Sequence, residues 1–270
     1  MNTTPAPASN VKADARSRSA PLVVAQSDDG ANLGDSPTLR IAETFLSIQG
    51  EGTLSGVPSW FIRVSGCNLR CGWCDTPYAS WMPEGEGRPV RSLVESAVKS
   101  GARHVVVTGG EPMLFPAIVQ LCDGLRAGGI HVTIETAGTV YQRVGCDLMS
   151  LSPKLSTSLP GPGDPRDPDG HWRRRHDERR LNLPVLQRLL DEHSRRQIKF
   201  VITGPSDIDE VDALLSQLHG WVADDIMLMP EGVVPPSAHT RAWLAQVCIA
   251  RGWRFAARLH IELFGNTRGT

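Results

Sequence analysis

The 270-residue chain has no excess of charge: 28 Lys and Arg stand against 29 Asp and Glu, a formal charge of -1. Nothing therefore draws the whole molecule onto nucleic acid or anionic lipid, and small molecules become the expected partners. The chain also lacks any apolar run near the ~20 residues of a membrane helix, which excludes a bilayer-spanning bundle. Its first residues lack the basic segment and unbroken apolar stretch of a secretory signal, so a cytoplasmic location is expected. No two of the scattered His104, His131, His219 and His260 have ligand spacing, and they read as structural. Trp60, Trp73, Trp81 and Trp243 read as packing residues, with Trp73 also placed to keep water away from its neighbouring cysteines. Hydrophobic residues at 40% and charged residues at 21% exclude collagen and a wholly disordered chain. Cysteine totals six, yet three crowd together at Cys67, Cys71 and Cys74, a pattern that asks for a metal before a disulfide.

Residues 1–38 are rich in Ala, Ser, Pro and Asp, with only PLVVA apolar, too little to offset the entropy of ordering; a disordered tail is expected. The folded part, 39–270, opens with the strand-like TLRIAETFLSIQG, closed by Gly50 and Gly52. SWFIRVS, RHVVVTGG, IHVTIETAG, DLMSLSPK, QIKFVITG and DIMLMPEG then read as six short strands. Amphipathic helices fall between most of them, one with Ile118, Leu121, Cys122 and Leu125 on a single face. The expected fold is α/β: a partial (βα)6 barrel, an open parallel sheet with flanking helices and its working loops at the strand C-terminal ends. Residues 160–180, Pro- and Gly-rich with mixed charge, read as a solvated loop insertion rather than a nucleic-acid-binding arm. The terminal WRFAARLHIELFGNTRGT reads as a final strand and an ordered Gly-rich end.

Cys67-Asn-Leu-Arg-Cys71-Gly-Trp-Cys74 has the spacing C-x3-C-x2-C. Three thiolates on one loop can hold three corners of a cubic iron-sulfur cluster and leave the fourth iron open. The alternatives are zinc or free thiols, but structural zinc closes its shell with four ligands, and no second CxxC follows. Packing accounts for Cys122 and Cys146. Thr108-Gly109-Gly110-Glu111-Pro112 ends the most apolar strand, where adjacent glycines let a ligand approach the backbone. Together these two motifs resemble the radical S-adenosylmethionine (SAM) superfamily. That resemblance implies a 4Fe-4S cluster on Cys67, Cys71 and Cys74, with SAM chelated by the open iron and lying along Gly110 and Glu111.

A finer resemblance covers Ile41 to Thr270. SIQGEG before the first barrel strand, FIRVSGC, Cys74-Asp75-Thr76, Ile134-Glu135-Thr136, Ser152-Pro153-Lys154 and the terminal GNTRGT are similar to the 7-carboxy-7-deazaguanine synthase family. It implies a lyase that converts 6-carboxy-5,6,7,8-tetrahydropterin to 7-carboxy-7-deazaguanine with loss of ammonia, by hydrogen abstraction from the pterin and ring contraction. Ile48, Gln49, Gly50, Thr108 and Thr270 are then expected at the pterin, the last through its terminal carboxylate and the backbone near Gly269. Arg63, among apolar neighbours, needs an anion, either the substrate carboxylate or a structural acid. Thr76 resembles the family's Mg2+ ligand, although Pro77 after it also suits a helix cap. Glu135, Thr136, Ser152, Pro153 and Lys154 are expected at SAM, Lys154 against its carboxylate. Met229, Pro230, Glu231 and Gly232 stand where the family has a different adenine-contacting sequence, and Ala137 replaces its usual Asn, which moves ribose bonding to Thr136 or to backbone. An external one-electron reductant of flavodoxin or ferredoxin type and a homodimer are also implied, with no nucleic acid and no membrane. Two alternatives remain: a glycyl-radical-enzyme activating protein, and a non-catalytic metal-binding or electron-transfer protein.

Overall fold

The computed structural model describes residues 36–270; the tail expected over 1–38 lies outside the described residues up to position 35. Thr38 already belongs to the first strand, so the folded part starts one residue earlier than expected. Strands β1 (Thr38–Ile48), β2 (Pro58–Val64) and β3 (Glu86–Pro89) are followed by helix α1 (Val90–Ser100). Next come β4 (His104–Gly109), α2 (Ala117–Ala127), β5 (His131–Thr136) and β6 (Leu148–Leu151). The chain continues through α3 (His171–Arg179), α4 (Leu183–Glu192), β7 (Arg196–Ile202) and α5 (Ser206–Leu215). It closes with β8 (Ile226–Pro230), α6 (Ala238–Arg251), β9 (Arg254–Phe255) and α7 (Leu259–Phe264).

The described strands form one open sheet in the order β3-β1-β2-β4-β5-β6-β7-β8-β9. The six expected strands are β2, β4, β5, β6, β7 and β8, neighbours in that order and all parallel. Val105, Val106 and Val107 on β4 are fully buried, which is why a parallel strand covered on both faces reads as a continuous apolar run. Helix α2 packs Ile118, Leu121, Cys122 and Leu125 on the core. The antiparallel edge was not legible: β1 runs against both β2 and β3, with a register shift between Ile41 and Glu43. Across that shift Ile41 packs in the core while Glu43, two residues on, reaches the interior cavity.

Two expectations about loops are corrected. Residues 160–180 contain α3, whose Arg- and His-rich sequence has no apolar face to betray a helix. The buried Asp167 carboxylate accepts from Trp172 N (2.8 Å) and Arg173 N (2.7 Å) and so satisfies the helix start. The final stretch holds only the two-residue β9, and LHIELF is a helix rather than part of a strand. Among the described residues no helix is long and apolar enough to cross a membrane.

Candidate active site

A cavity of about 470 Å³ lies at the C-terminal ends of the parallel strands, a size suited to small molecules. Cys67, Cys71 and Cys74 line one side of it; Cys122, Cys146 and Cys248 do not. Burial pushes the Cys67 thiol up to about 12 and raises Cys71 as well, so these two must release their protons on binding a metal. Among the described residues no group of three or more His, Cys, Asp or Glu side chains converges tightly enough to hold a single ion. Three thiols spread along one wall suit the separate corners of a cluster and do not suit a closed zinc shell.

The glycines after β4 set this loop in place. Gly109 has a φ of 127°, and a Cβ on Gly110 would overlap the carbonyl of Gly66, next to Cys67. Gly110 N donates to Val64 O (3.0 Å) and Glu111 N to Gly66 O (2.9 Å), so the strand end and the cysteine loop are fixed together. Glu111 itself turns away from the cavity, correcting its expected place at SAM. Its buried carboxylate accepts from Thr136 Oγ1 (2.7 Å), Ala137 N (2.8 Å) and Met113 N (3.0 Å). Burial raises its pKa despite those donors. Pro153 and Pro230 also stay off the cavity wall. Thr136 lines it with a committed hydroxyl, which donates to Glu111 and accepts from Gly138 N (3.0 Å). Gly110, Glu135, Ser152, Lys154, Met229, Glu231 and Gly232 all reach the wall. Lys154 Nζ donates to Ser152 O and Oγ (both 2.8 Å), and Trp73 donates to Thr157 O (3.1 Å) beside the cysteines.

The cavity also has a polar region. Ile48, Gln49, Gly50 and Thr108 line it, and Gln49 Nε2 (3.3 Å) and Thr108 Oγ1 (3.0 Å) both donate to Glu135. Lys199, 4% exposed, donates to Glu51 and sits 3.8 Å from Glu135. Arg258 Nε donates to the other Glu51 oxygen (3.1 Å), and its head also reaches Asp75 and the Gly232 carbonyl. Burial pushes Glu51 up, but Lys199, Arg258 and His260 hold it well below the usual carboxylate range. Burial likewise lowers Lys199, and Glu51 and Glu135 more than offset it. Loop 50–53 also ties distant elements together: Thr53 N donates to Gln197 Oε1 (2.9 Å) and Leu259 N to Gly50 O (2.9 Å).

Arg63 finds a structural acid, Glu43, through Nε (2.6 Å). Tyr78 Oη donates to the same Glu43 oxygen (2.7 Å), and Arg268 Nε reaches the other (3.3 Å) while its head lies 4.1 Å over the Tyr78 ring. Residues Gly265–Thr270 thereby line the cavity, Thr270 among them. Thr76 precedes the 3-10 turn Pro77–Ala79, but its side chain makes no cap bond; Oγ1 is 3.8 Å from Cys74 Sγ.

Among the cavity residues that escaped the sequence reading are Glu43, Glu51, Asp75, Tyr78, Lys199, Arg258 and His260. His260 had been read as structural, yet a Cβ on Gly50 would overlap its ring, and it stands at the wall. His104 is the structural histidine that was expected, buried between Ser59 Oγ (2.7 Å) and Thr133 Oγ1 (2.8 Å). Lys199 offered a signal, a lone cation in the otherwise apolar strand sequence IKFVI. Arg258 offered none.

The radical SAM superfamily model matches residues 61–207. A 7-carboxy-7-deazaguanine synthase of Rhodopirellula baltica is 48% identical over 236 residues, covering 86% of this chain and 89% of that protein. One from Halobacterium salinarum is 42% identical, with 89% and 96% covered. The solved structure of QueE from Escherichia coli superposes with a TM-score of 0.63 at 27% identity, covering 83% of this chain and 95% of that one.

Proposed function

This chain belongs to the 7-carboxy-7-deazaguanine synthase family of the radical SAM superfamily, and on that premise we propose how its own residues divide the work. The enzyme is a lyase that converts 6-carboxy-5,6,7,8-tetrahydropterin to 7-carboxy-7-deazaguanine with loss of ammonia. The carrying observation is that the cysteine loop, the Gly109-Gly110 backbone and the QGEG loop face one cavity in a chain whose relatives match it at this identity and coverage. The comparisons favour this synthase over the activating-protein and electron-transfer readings.

When bound, the cluster and SAM would supply one-electron radical chemistry at the pterin. Cys67, Cys71 and Cys74 hold three irons. Gly110, Ser152, Lys154 and Glu135 cradle the methionyl and ribose parts of SAM, and Met229, Glu231 and Gly232 border its adenine. Glu135 is shared, since Gln49 and Thr108 also donate to it; with Ile48, Gly50 and Thr270 these form the pterin's polar edge. Because Glu43 takes only Nε of Arg63, the other two guanidinium nitrogens remain for the substrate carboxylate. Thr76, free of capping duty, offers a hydroxyl oxygen to Mg2+ shared with that carboxylate. Trp73 and the residues 265–270 exclude water. The reductant is a protein of flavodoxin or ferredoxin type, the assembly a homodimer and the location cytoplasmic.

Anaerobic reconstitution followed by incubation with the pterin, SAM, Mg2+ and dithionite tests the reading. The deazapurine acid and ammonia should appear in equal amounts. A loaded enzyme that cleaves SAM yet leaves the pterin unconsumed would overturn the substrate assignment.

A further inference from the structure

The register shift in β1 decides what stands beside Arg63 at the cavity. Ile41 lies opposite Val64 across the β1–β2 pair, whereas Glu43 lies opposite Arg63, so Ala42 is one residue more than the pairing needs. Opposed residues of an antiparallel pair share a face of the sheet, and successive residues alternate between faces. An unbroken register would set Glu43 opposite Ile62, a fully buried core residue, and drive a carboxylate into the apolar layer. The bulge instead turns Glu43 to the cavity, side by side with Arg63. Two residues along the same face Phe45 and Phe61 stack with ring centroids 4.9 Å apart, and the Arg63 guanidinium lies 5.8 Å from the Phe45 ring.

Glu43 is held more firmly than one ion pair needs. Its Oε1 accepts from Arg63 Nε (2.6 Å) and Tyr78 Oη (2.7 Å), and its Oε2 from Arg268 Nε (3.3 Å). Arg268 Nη2 also donates to Ala42 O (3.3 Å), the carbonyl of the extra residue. Arg63 is 15% exposed and lines the cavity, yet among the described residues its Nη1 and Nη2 donate to nothing. A guanidinium is rigid and planar, so a partner fixed at Nε also fixes where the two terminal nitrogens point.

Resting on the synthase reading, we propose that Glu43 is a positioning residue for substrate selection: through Nε it aims the Nη1–Nη2 fork of Arg63 at the acid substituent of the substrate. Tyr78 and Arg268 hold Glu43 in turn, so the turn after the cysteines and the terminal segment both bear on that choice. The class selected is a bicyclic heterocycle carrying a carboxylate, over the same ring carrying a neutral amide. A carboxylate meets the fork with two charged oxygens, whereas an amide sets one N–H against a donor.

Equilibrium binding to the SAM-loaded holoenzyme without reductant, so that nothing turns over, separates recognition from chemistry. The probes are 6-carboxytetrahydropterin and its carboxamide. The variants are Glu43→Ala, Glu43→Gln, Arg63→Met and the pair Glu43→Ala with Arg63→Met. The unaltered enzyme should bind the acid about tenfold more tightly than the amide, as a charge-assisted fork does. Glu43→Ala should weaken the acid about tenfold and leave the amide within about twofold. Glu43→Gln, whose amide oxygen can still accept from Nε, should restore most of the acid's affinity. Once Arg63 is replaced by Met, adding Glu43→Ala should alter neither probe, because Glu43 acts through Arg63. An acid preference that survives Glu43→Ala overturns the proposal. So does an equal loss on acid and amide, which marks a residue that only supports the wall, and so does a loss in Glu43→Gln as deep as in Glu43→Ala. Tyr78→Phe removes one donor from Glu43 and keeps the ring; it should cost the acid alone about threefold, and it carries the test if Glu43→Ala does not fold. Acid and amide bound alike by the unaltered enzyme would overturn the substrate assignment and this proposal together, whereas the other failures leave that assignment standing.

Discussion

Lys199 decides the charge of the polar region: one buried ammonium faces two carboxylates, and without it Glu51 and Glu135 would repel each other near the substrate edge. Lys199→Met should lower stability by about 3 kcal/mol in urea unfolding, the cost of breaking a buried pair. It should also raise the pterin KM far more than it slows SAM cleavage, a split that general loosening of the fold would not produce. Cys67→Ala, Cys71→Ala or Cys74→Ala should each abolish cluster content and SAM cleavage, whereas Cys122→Ala, on the core face of α2 and off the cavity wall, should keep both. Thr76→Val keeps the shape and removes the oxygen; activity that still responds fully to Mg2+ would reduce Thr76 to a turn residue. What was legible at this scale was contiguous. The cysteine spacing and the paired glycines carry their chemistry within a few residues. Lys199, Arg258 and His260 acquire theirs only when β7 and the segment after β9 reach the loop after β1, a meeting no local pattern announces.

Among the elements, the parallel strands were readable because burial on both faces makes each an apolar run, whereas α3 was not, because an exposed helix latched by polar groups carries no stripe. Asp167 replaces that stripe. Asp167→Ala should cost about 1 kcal/mol, as loss of a helix cap does, and should make α3 the first segment to lose amide protection. The start of β4 carries a second dependence. Burial lowers His104 to about 4, so the folded state binds its proton less readily than the unfolded chain, where the ordinary value is near 6.5. Its contribution is whole above pH ~6.5 and is lost as pH falls toward ~4, since there only the unfolded form takes up the proton. The urea midpoint should therefore drop across that interval, and His104→Gln should flatten the drop; an equal slope in the variant would assign the effect elsewhere.

At the scale of the molecule, Arg268 joins one end of the described chain to the other, pairing with Glu43 on β1 and with Glu84 (2.9 Å). Deleting residues 266–270 should raise the pterin KM sharply while uncoupled SAM cleavage persists, and an unaltered KM would remove this segment from the site. Among the described residues the sheet has two free edges, β3 and β9, so their backbone hydrogen bonds do not complete a ring around the cavity. Loop 50–53 spans the gap instead, through Glu51 to Lys199 and Arg258 and through Thr53 to Gln197. A closure made of ion pairs can be undone and remade without unfolding any strand, so the enzyme has a clasp where a full barrel has a weld. Substrate entry and product escape would then follow the clasp, and salt should loosen it. Deuterium uptake at the Thr53 and Leu259 amides should rise together with ionic strength, slow when SAM and pterin are bound, and leave the β4 amides unaffected.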